Sequence, residues 1–214
     1  MADKSKHSYK LLYFQSRGVA ELIRLLFKVA EVDFEDKRYS REEWPSQKEA
    51  QPLKALPVLE VDGKKYCLSA AIARYLAEEF GLMGSCPLDV LRINEIQEAV
   101  TEMFKDFFEI FYEKDKDKKV TMLQKTNKET LPKFLDFYEK RLKENNKGEG
   151  WVVGDKLTLA DLVLYNTFHT ITLFMSMAGL NALEKRPLLQ AHYARVEALP
   201  QIAAWIKARP ETEN

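Results

Sequence analysis

Apolar and polar residues change their spacing twice along this chain, and the changes divide it. Tyr9 to Phe14 is a short apolar run with the length of a strand. Val19 to Val29 then carries Ala20, Ile23, Leu26 and Phe27 at helical spacing, so one face is buried. Asp33 to Arg38 is polar and reads as an edge strand. Glu42 to Gln51 is a weak helix, with Ser40 placed to cap it and Pro52 to close it. Val58 to Val61 is a second apolar strand, with Pro57 at its mouth, where proline is tolerated. Asp62-Gly63 follows, a strong signal for a type I′ turn, which needs positive φ at both central residues. A further strand ends at Cys67. Ser69 is placed to cap a helix whose inner face holds Ile72, Ala73 and Leu76. Strand, helix, strand, helix, hairpin and helix make a small α/β layer.

Beyond Gly81-Leu82-Met83-Gly84-Ser85-Cys86-Pro87 the alternating pattern stops. Helical spacing takes over from Leu88 to Lys116 and from Met122 to Asn145. Leu162 to Met177 is apolar almost all round, so it is expected to be buried on every side. His192 to Leu199 and Gln201 to Ala208 are short closing helices. The organisation predicted is an α/β domain over residues 1–81, a linker over 82–87 and an all-helical domain over 88–214. Thr158-Leu159-Ala160-Asp161 sets a hydroxyl three residues before a carboxylate, the spacing of a capping box at the head of the apolar helix. Asp161 is therefore read as structural and not catalytic.

Composition narrows the function classes. The 214 residues are 46% hydrophobic, enough for a packed core, and 33 basic residues balance 33 acidic ones. That balance gives no net field for nucleic acid, and no basic stripe runs along any helix. Met1 to Lys10 is polar and lacks the apolar core of a signal peptide, and no stretch is long and apolar enough to span a bilayer, so a cytoplasmic protein without membrane or nucleic-acid partners is expected. Cys67 and Cys86 are too few for a disulfide framework or a zinc site, and no metal is expected. The hairpin delivers the chain into a helix whose first N–H groups can hold a carboxylate. Alone, that is equally a plain hairpin–helix unit.

Together, the segments resemble a cytosolic glutathione transferase of the sigma class. Tyr13-Phe14-Gln15-Ser16-Arg17-Gly18 matches the family's Tyr-Phe-x-x-Arg-Gly pattern. Asp36-Lys37-Arg38 and Trp44-Pro45 are similar to sigma-class sequences. Leu56-Pro57 resembles the family's cis-proline turn, and Ser69 to Leu76 the helix after it. Gly154 to Asp161 and Leu199 to Pro210 resemble the buried capping motif and the tail. The resemblance covers nearly the whole chain. It implies a thioredoxin-like N-terminal domain joined to the helical domain, a homodimer, and glutathione as co-substrate.

The resemblance also implies site residues. The family joins the glutathione thiolate to electrophiles. A free thiol of pKa ~8.5 is only a few per cent ionised at neutral pH, and bringing it down to ~6.5 is worth about 2.7 kcal/mol. A phenol O–H aimed at the sulfur does this by stabilising the anion; Tyr13 is the match. Leu56 and Pro57 present backbone N–H and C=O to the extended peptide. Ser69 takes the γ-glutamyl carboxylate, and Trp44 and Lys48 hold the glycine end. Glu102 from the partner subunit reaches the peptide's amino group. Phe14, Phe104, Phe107 and Phe108 border a pocket for a small apolar electrophile or a lipid. Leu68 stands where the family has glutamine, Val19 where sigma-class enzymes often have arginine, and Ala55 where they often have lysine or glutamine. That thinned polar shell keeps open a weakly active or inactive crystallin-like protein, and the sigma-class resemblance keeps open a glutathione-dependent prostaglandin isomerase, which depends on pocket shape.

Overall fold

The computed structural model describes residues 6–212. In chain order its elements are β1 (Tyr9–Phe14), α1 (Glu21–Ala30), β2 (Glu35–Tyr39), α2 (Trp44–Gln47), β3 (Val58–Val61), β4 (Lys64–Cys67), α3 (Ser69–Glu79), α4 (Pro87–Tyr112), α5 (Lys116–Glu129), α6 (Leu131–Glu144), α7 (Leu159–Ser176), α8 (Pro187–Glu197) and α9 (Pro200–Ala208). They form two compact units, Leu82–Ala198 being the second, while Leu199 onwards belongs with the first, up to Gly81.

In the first unit the strands run in the order β2-β1-β3-β4. β1 pairs parallel with β2, and β3 pairs antiparallel with both β1 and β4. The crossover through α1 is what makes the first pair parallel. Asp62 and Gly63 both have positive φ, 48° and 79°, as a tight hairpin between β3 and β4 requires. β2 is polar and lies at the sheet's edge, as its composition predicts. The tail departs from the sequence reading. α9 packs on α1 and not with the helical unit, because Trp205 and Arg209 bond a carboxylate on α1.

The second unit is helical throughout its described elements. Its second periodic segment, expected as one helix from Met122 to Asn145, is instead two, α5 and α6. The break falls at Thr130, just before Pro132, which has no N–H to continue the ladder and crowds the preceding turn. α7 is buried over most of its length, as its all-round apolar character predicts.

The capping box forms. Asp161 Oδ2 accepts from the Thr158 N–H at 2.8 Å and from its hydroxyl at 2.9 Å. Oδ1 accepts from the Val152 N–H at 2.8 Å and faces His192 Nε2 of α8 at 2.9 Å. The carboxylate is fully buried, so these bonds replace its hydration. One side chain thus joins the segment before α7, the head of α7, and α8. Asp161→Ala leaves four polar groups facing a void. It is expected to destabilise the protein by roughly 3–5 kcal/mol, lowering the thermal midpoint by about 10 °C for a chain of this size. Differential scanning calorimetry checks this; an unchanged midpoint refutes it.

Candidate active site

Tyr13 sits near the C-terminal end of β1, with 8% of its surface exposed. Its hydroxyl oxygen accepts a hydrogen bond from the Val19 N–H at 3.3 Å. That bond uses an oxygen lone pair, and a phenol O–H is by its chemistry a donor as well as an acceptor. The turn between them is closed tightly by Gly18, whose φ is +44°. A Cβ at Gly18 would stand 2.4 Å from the Tyr13 hydroxyl oxygen, so glycine here is a steric requirement as well as a conformational one.

The phenol is backed by a buried ion network. Arg24 of α1 is wholly buried, and its guanidinium carbon lies 5.8 Å from the Tyr13 ring centre. Its Nη1 donates to the carbonyls of Ser16 at 3.1 Å and Arg17 at 3.2 Å, and to Glu21 at 3.2 Å. Its Nε donates to both oxygens of Asp36 on β2, at 3.2 and 3.0 Å, and Arg38 donates to the same carboxylate at 2.9 Å. Glu21 Oε1 accepts from the Trp205 indole and from Arg209, each at 2.9 Å. Burial favours the neutral form of Glu21, but Trp205, Arg24 and Arg209 outweigh it and hold the carboxyl below the usual carboxylate range. The stabilisation this contributes is complete above that range and is lost as pH falls through the depressed value.

Beside the phenol lies an aromatic corner. The Phe14 ring meets Tyr13 edge-on at 5.5 Å and Trp44 at 5.4 Å. Trp44, Leu56 and Cys67 pack together on a small core of Leu12, Tyr39 and Val58. The Leu56-Pro57 bond is cis, as the resemblance implies. The sheet register sets Val58 opposite both Leu12 and Cys67, which brings the residues after β4 to the same end of the sheet as Leu56. Lys48 stands in a short turn after α2 and is exposed.

Ser69 is not the cap that its position suggests. Leu68 occupies the N-cap, its carbonyl accepting the Ile72 N–H at 3.0 Å, and Ser69 is the first helical residue. Leu68 has φ of 71° and ψ of 108°, a backbone state that bulky residues rarely adopt, and its side chain is 60% exposed. A strained, exposed apolar residue at a helix entrance is the kind of local cost that functional sites carry.

The aromatic residues of α4 do not act as one set. Phe107 is buried against Phe104 and Phe174 and belongs to the core of the second unit, correcting its reading as a pocket residue. Facing α7, it falls on the side of α4 that packs. Phe108, one residue on, is 65% exposed. It lines a shallow depression of about 350 Å³ with Thr101, Phe104 and Lys105. Glu102 is exposed and pairs with Lys105 at 2.7 Å.

Glu21, Arg24, Trp205 and Arg209 form a network that no sequence motif marks as one. The available signal was a charge inside an apolar run: Arg24 sits between Ile23 and Leu25 on the buried face of α1. A buried arginine needs carboxylate partners, and Glu21 stands three residues before it.

Residues 9–78 match the family model of the glutathione S-transferase N-terminal domain, and residues 101–209 match that of the C-terminal domain. The chain is 39% identical to S-crystallin SL11 of Nototodarus sloanii over 96% of this chain and 98% of that one. The chain belongs to the glutathione S-transferase family. Its first unit is the thioredoxin-like domain of that family, and glutathione is the family's co-substrate. It is also 37% identical to glutathione S-transferase S1 of Drosophila melanogaster, over 97% of this chain and 81% of that one. Among solved structures, the monomeric glutathione S-transferase Na-GST-3 of Necator americanus superposes with a TM-score of 0.84 at 36% identity, covering 97% of this chain and all of that one. No helix among the described residues of this glutathione S-transferase is long and apolar enough to cross a membrane.

Proposed function

We propose that this chain is a sigma-like glutathione transferase in which the Tyr13 hydroxyl donates to the sulfur of bound glutathione. The observation that carries the reading is the pinned phenol: one oxygen lone pair is engaged by the Val19 amide, Gly18 leaves room for it, and a buried cation lies behind the ring. A phenol held in place ahead of reaction stabilises the thiolate without reorganisation at the moment of attack. The sulfur then bonds to the electrophilic carbon, and the leaving group departs with its electron pair.

The rest of the glutathione site follows the same end of the sheet. The backbone of Leu56, before the cis Pro57, pairs with the cysteinyl residue in extended form. The first turn of α3, with the Ser69 hydroxyl, takes the γ-glutamyl carboxylate. Trp44 and Lys48 hold the glycine end. Phe14, and separately the depression at Phe104 and Phe108, offer apolar contact for the electrophile. Cytoplasmic detoxification of small electrophiles fits this chemistry.

A second reading rests on Leu68. An exposed apolar side chain at the helix entrance offers a γ-glutamyl group neither donor nor acceptor. A relative of similar length is an S-crystallin, which makes a structural protein on the same scaffold the competing reading. Turnover separates the two.

Tyr13→Phe keeps the ring and deletes one hydroxyl. It is expected to raise the thiol pKa of bound glutathione towards its free value and to slow conjugation of a chloronitroarene about tenfold or more at neutral pH, since one pKa unit is worth ~1.4 kcal/mol. Glutathione affinity stays nearly constant, because Leu56 and α3 do most of the holding. Undiminished turnover moves the donor role elsewhere, Ser16 being the next hydroxyl. No turnover in the unaltered protein favours the structural reading.

We also infer a homodimer in which Glu102 reaches the partner's site. Leu88 and Leu91 share one face of α4 and are 74% and 64% exposed, an apolar surface that a second copy would cover. Sedimentation equilibrium at micromolar concentration is expected to give about twice the 24.9 kDa chain mass. A monomer there removes Glu102 from the site.

A further inference from the structure

We propose that Arg24 is a positioning residue for the Tyr13 phenol, and that α9 controls it through Glu21. The proposal rests on the reading of Tyr13 as the thiolate donor, and it concerns what holds that donor in place.

A short chain of bonds runs through the first unit from α9 to the phenol. Trp205 and Arg209 of α9 donate to one oxygen of Glu21. Arg24 donates to the other oxygen and, with the same nitrogen, to the carbonyls of Ser16 and Arg17. Those carbonyls lie just before Gly18 and Val19. The Val19 amide in turn holds the Tyr13 oxygen, and Gly18 comes so close that a Cβ there would stand 2.4 Å from it. Asp36 fixes the Nε edge of the same guanidinium. A planar fork is required here, because one group must meet a carboxylate on one edge and two carbonyls and a second carboxylate on another. The positive charge near the ring also favours a more acidic phenol, which is the better donor to sulfur. The two turn carbonyls tie the guanidinium to the segment that carries the Val19 amide, so what moves Arg24 also moves the phenol's partner.

Arg24→Lys keeps the charge and loses the fork. Trp205→Phe keeps an aromatic ring and deletes one donor to Glu21. In both variants the Tyr13 phenol pKa is expected to rise, read from phenolate absorbance as the difference from the matching protein that also carries Tyr13→Phe. The pH profile of conjugation is expected to move to higher pH. At neutral pH the rate falls roughly three- to tenfold for Arg24→Lys and about twofold for Trp205→Phe, each pKa unit being tenfold. It recovers at a pH where the thiol ionises unaided, and the KM for glutathione stays constant. A role in folding alone lowers the rate by one factor at every pH and leaves the profile in place; that result overturns the proposal. Circular dichroism establishes that each variant is folded. If Arg24→Lys does not fold, Trp205→Phe decides alone, and an unmoved profile with an unmoved phenol pKa refutes the coupling to α9. If Tyr13→Phe itself leaves the profile unmoved, the donor reading has failed; the phenol titration still tests the positioning claim, because it needs no turnover.

Discussion

A guanidinium with no access to water is the constraint from which the first unit is organised. Desolvating the Arg24 charge is tolerable only if carboxylates and carbonyls surround it. The fold supplies them from three places: Glu21 one helical turn away, Asp36 on the neighbouring strand β2, and the Ser16 and Arg17 carbonyls of the turn after β1. Meeting those demands at once fixes α1 against β2 and closes the turn. The turn sets the Val19 amide under the phenol oxygen. α9, the last helix of the chain, is held to α1 by the same Glu21 carboxylate. Burial of one charge thereby bears on where the Tyr13 hydroxyl stands.

The second unit solves a comparable problem with the opposite sign. Asp161 is as deeply buried as Arg24, and four donors face it from the Val152 segment, the head of α7 and α8. Its placement matches the dipole of α7, whose N-terminus favours negative charge. Asp161 locks helices together far along the chain from any proposed substrate contact, while Arg24 bonds the turn that carries one. The two residues show why a buried ion is not by itself a functional signal: the chemistry of its neighbours decides.

Much of the fold is legible from spacing because short-range rules govern it. The Asp62-Gly63 turn, the capping box and the apolar α7 each depend on residues a few positions apart. The division of α5 from α6 was legible too, in Pro132, but the helical periodicity running through it masked the break. The Ser69 cap is a subtler case. Serine is the better cap by propensity, yet the hairpin hands the chain over one residue earlier, and Leu68 takes the cap with a strained backbone. At the site, the Tyr13 motif and Leu56-Pro57 are local patterns. The Glu21 bonds to Trp205 and Arg209 span 184 and 188 positions, and nothing in local pattern connects them. Phe107 and Phe108 are adjacent in sequence, and only the packing of α4 against α7 separates the core ring from the exposed one.

A glutathione transferase needs a donor at the sulfur and a peptide clamp beside it. In the proposed site the donor is Tyr13 and the clamp is the backbone at Leu56 with the first turn of α3, two segments that the sheet register brings to one end. The most direct measurement is a titration of isotope-labelled protein with glutathione, following backbone amide resonances. The amides of Leu56, Ser69, Ala70 and Val19 are expected to shift together along one saturating curve. Shifts confined to other segments, or a flat response at those amides up to millimolar glutathione, would contradict the proposed site.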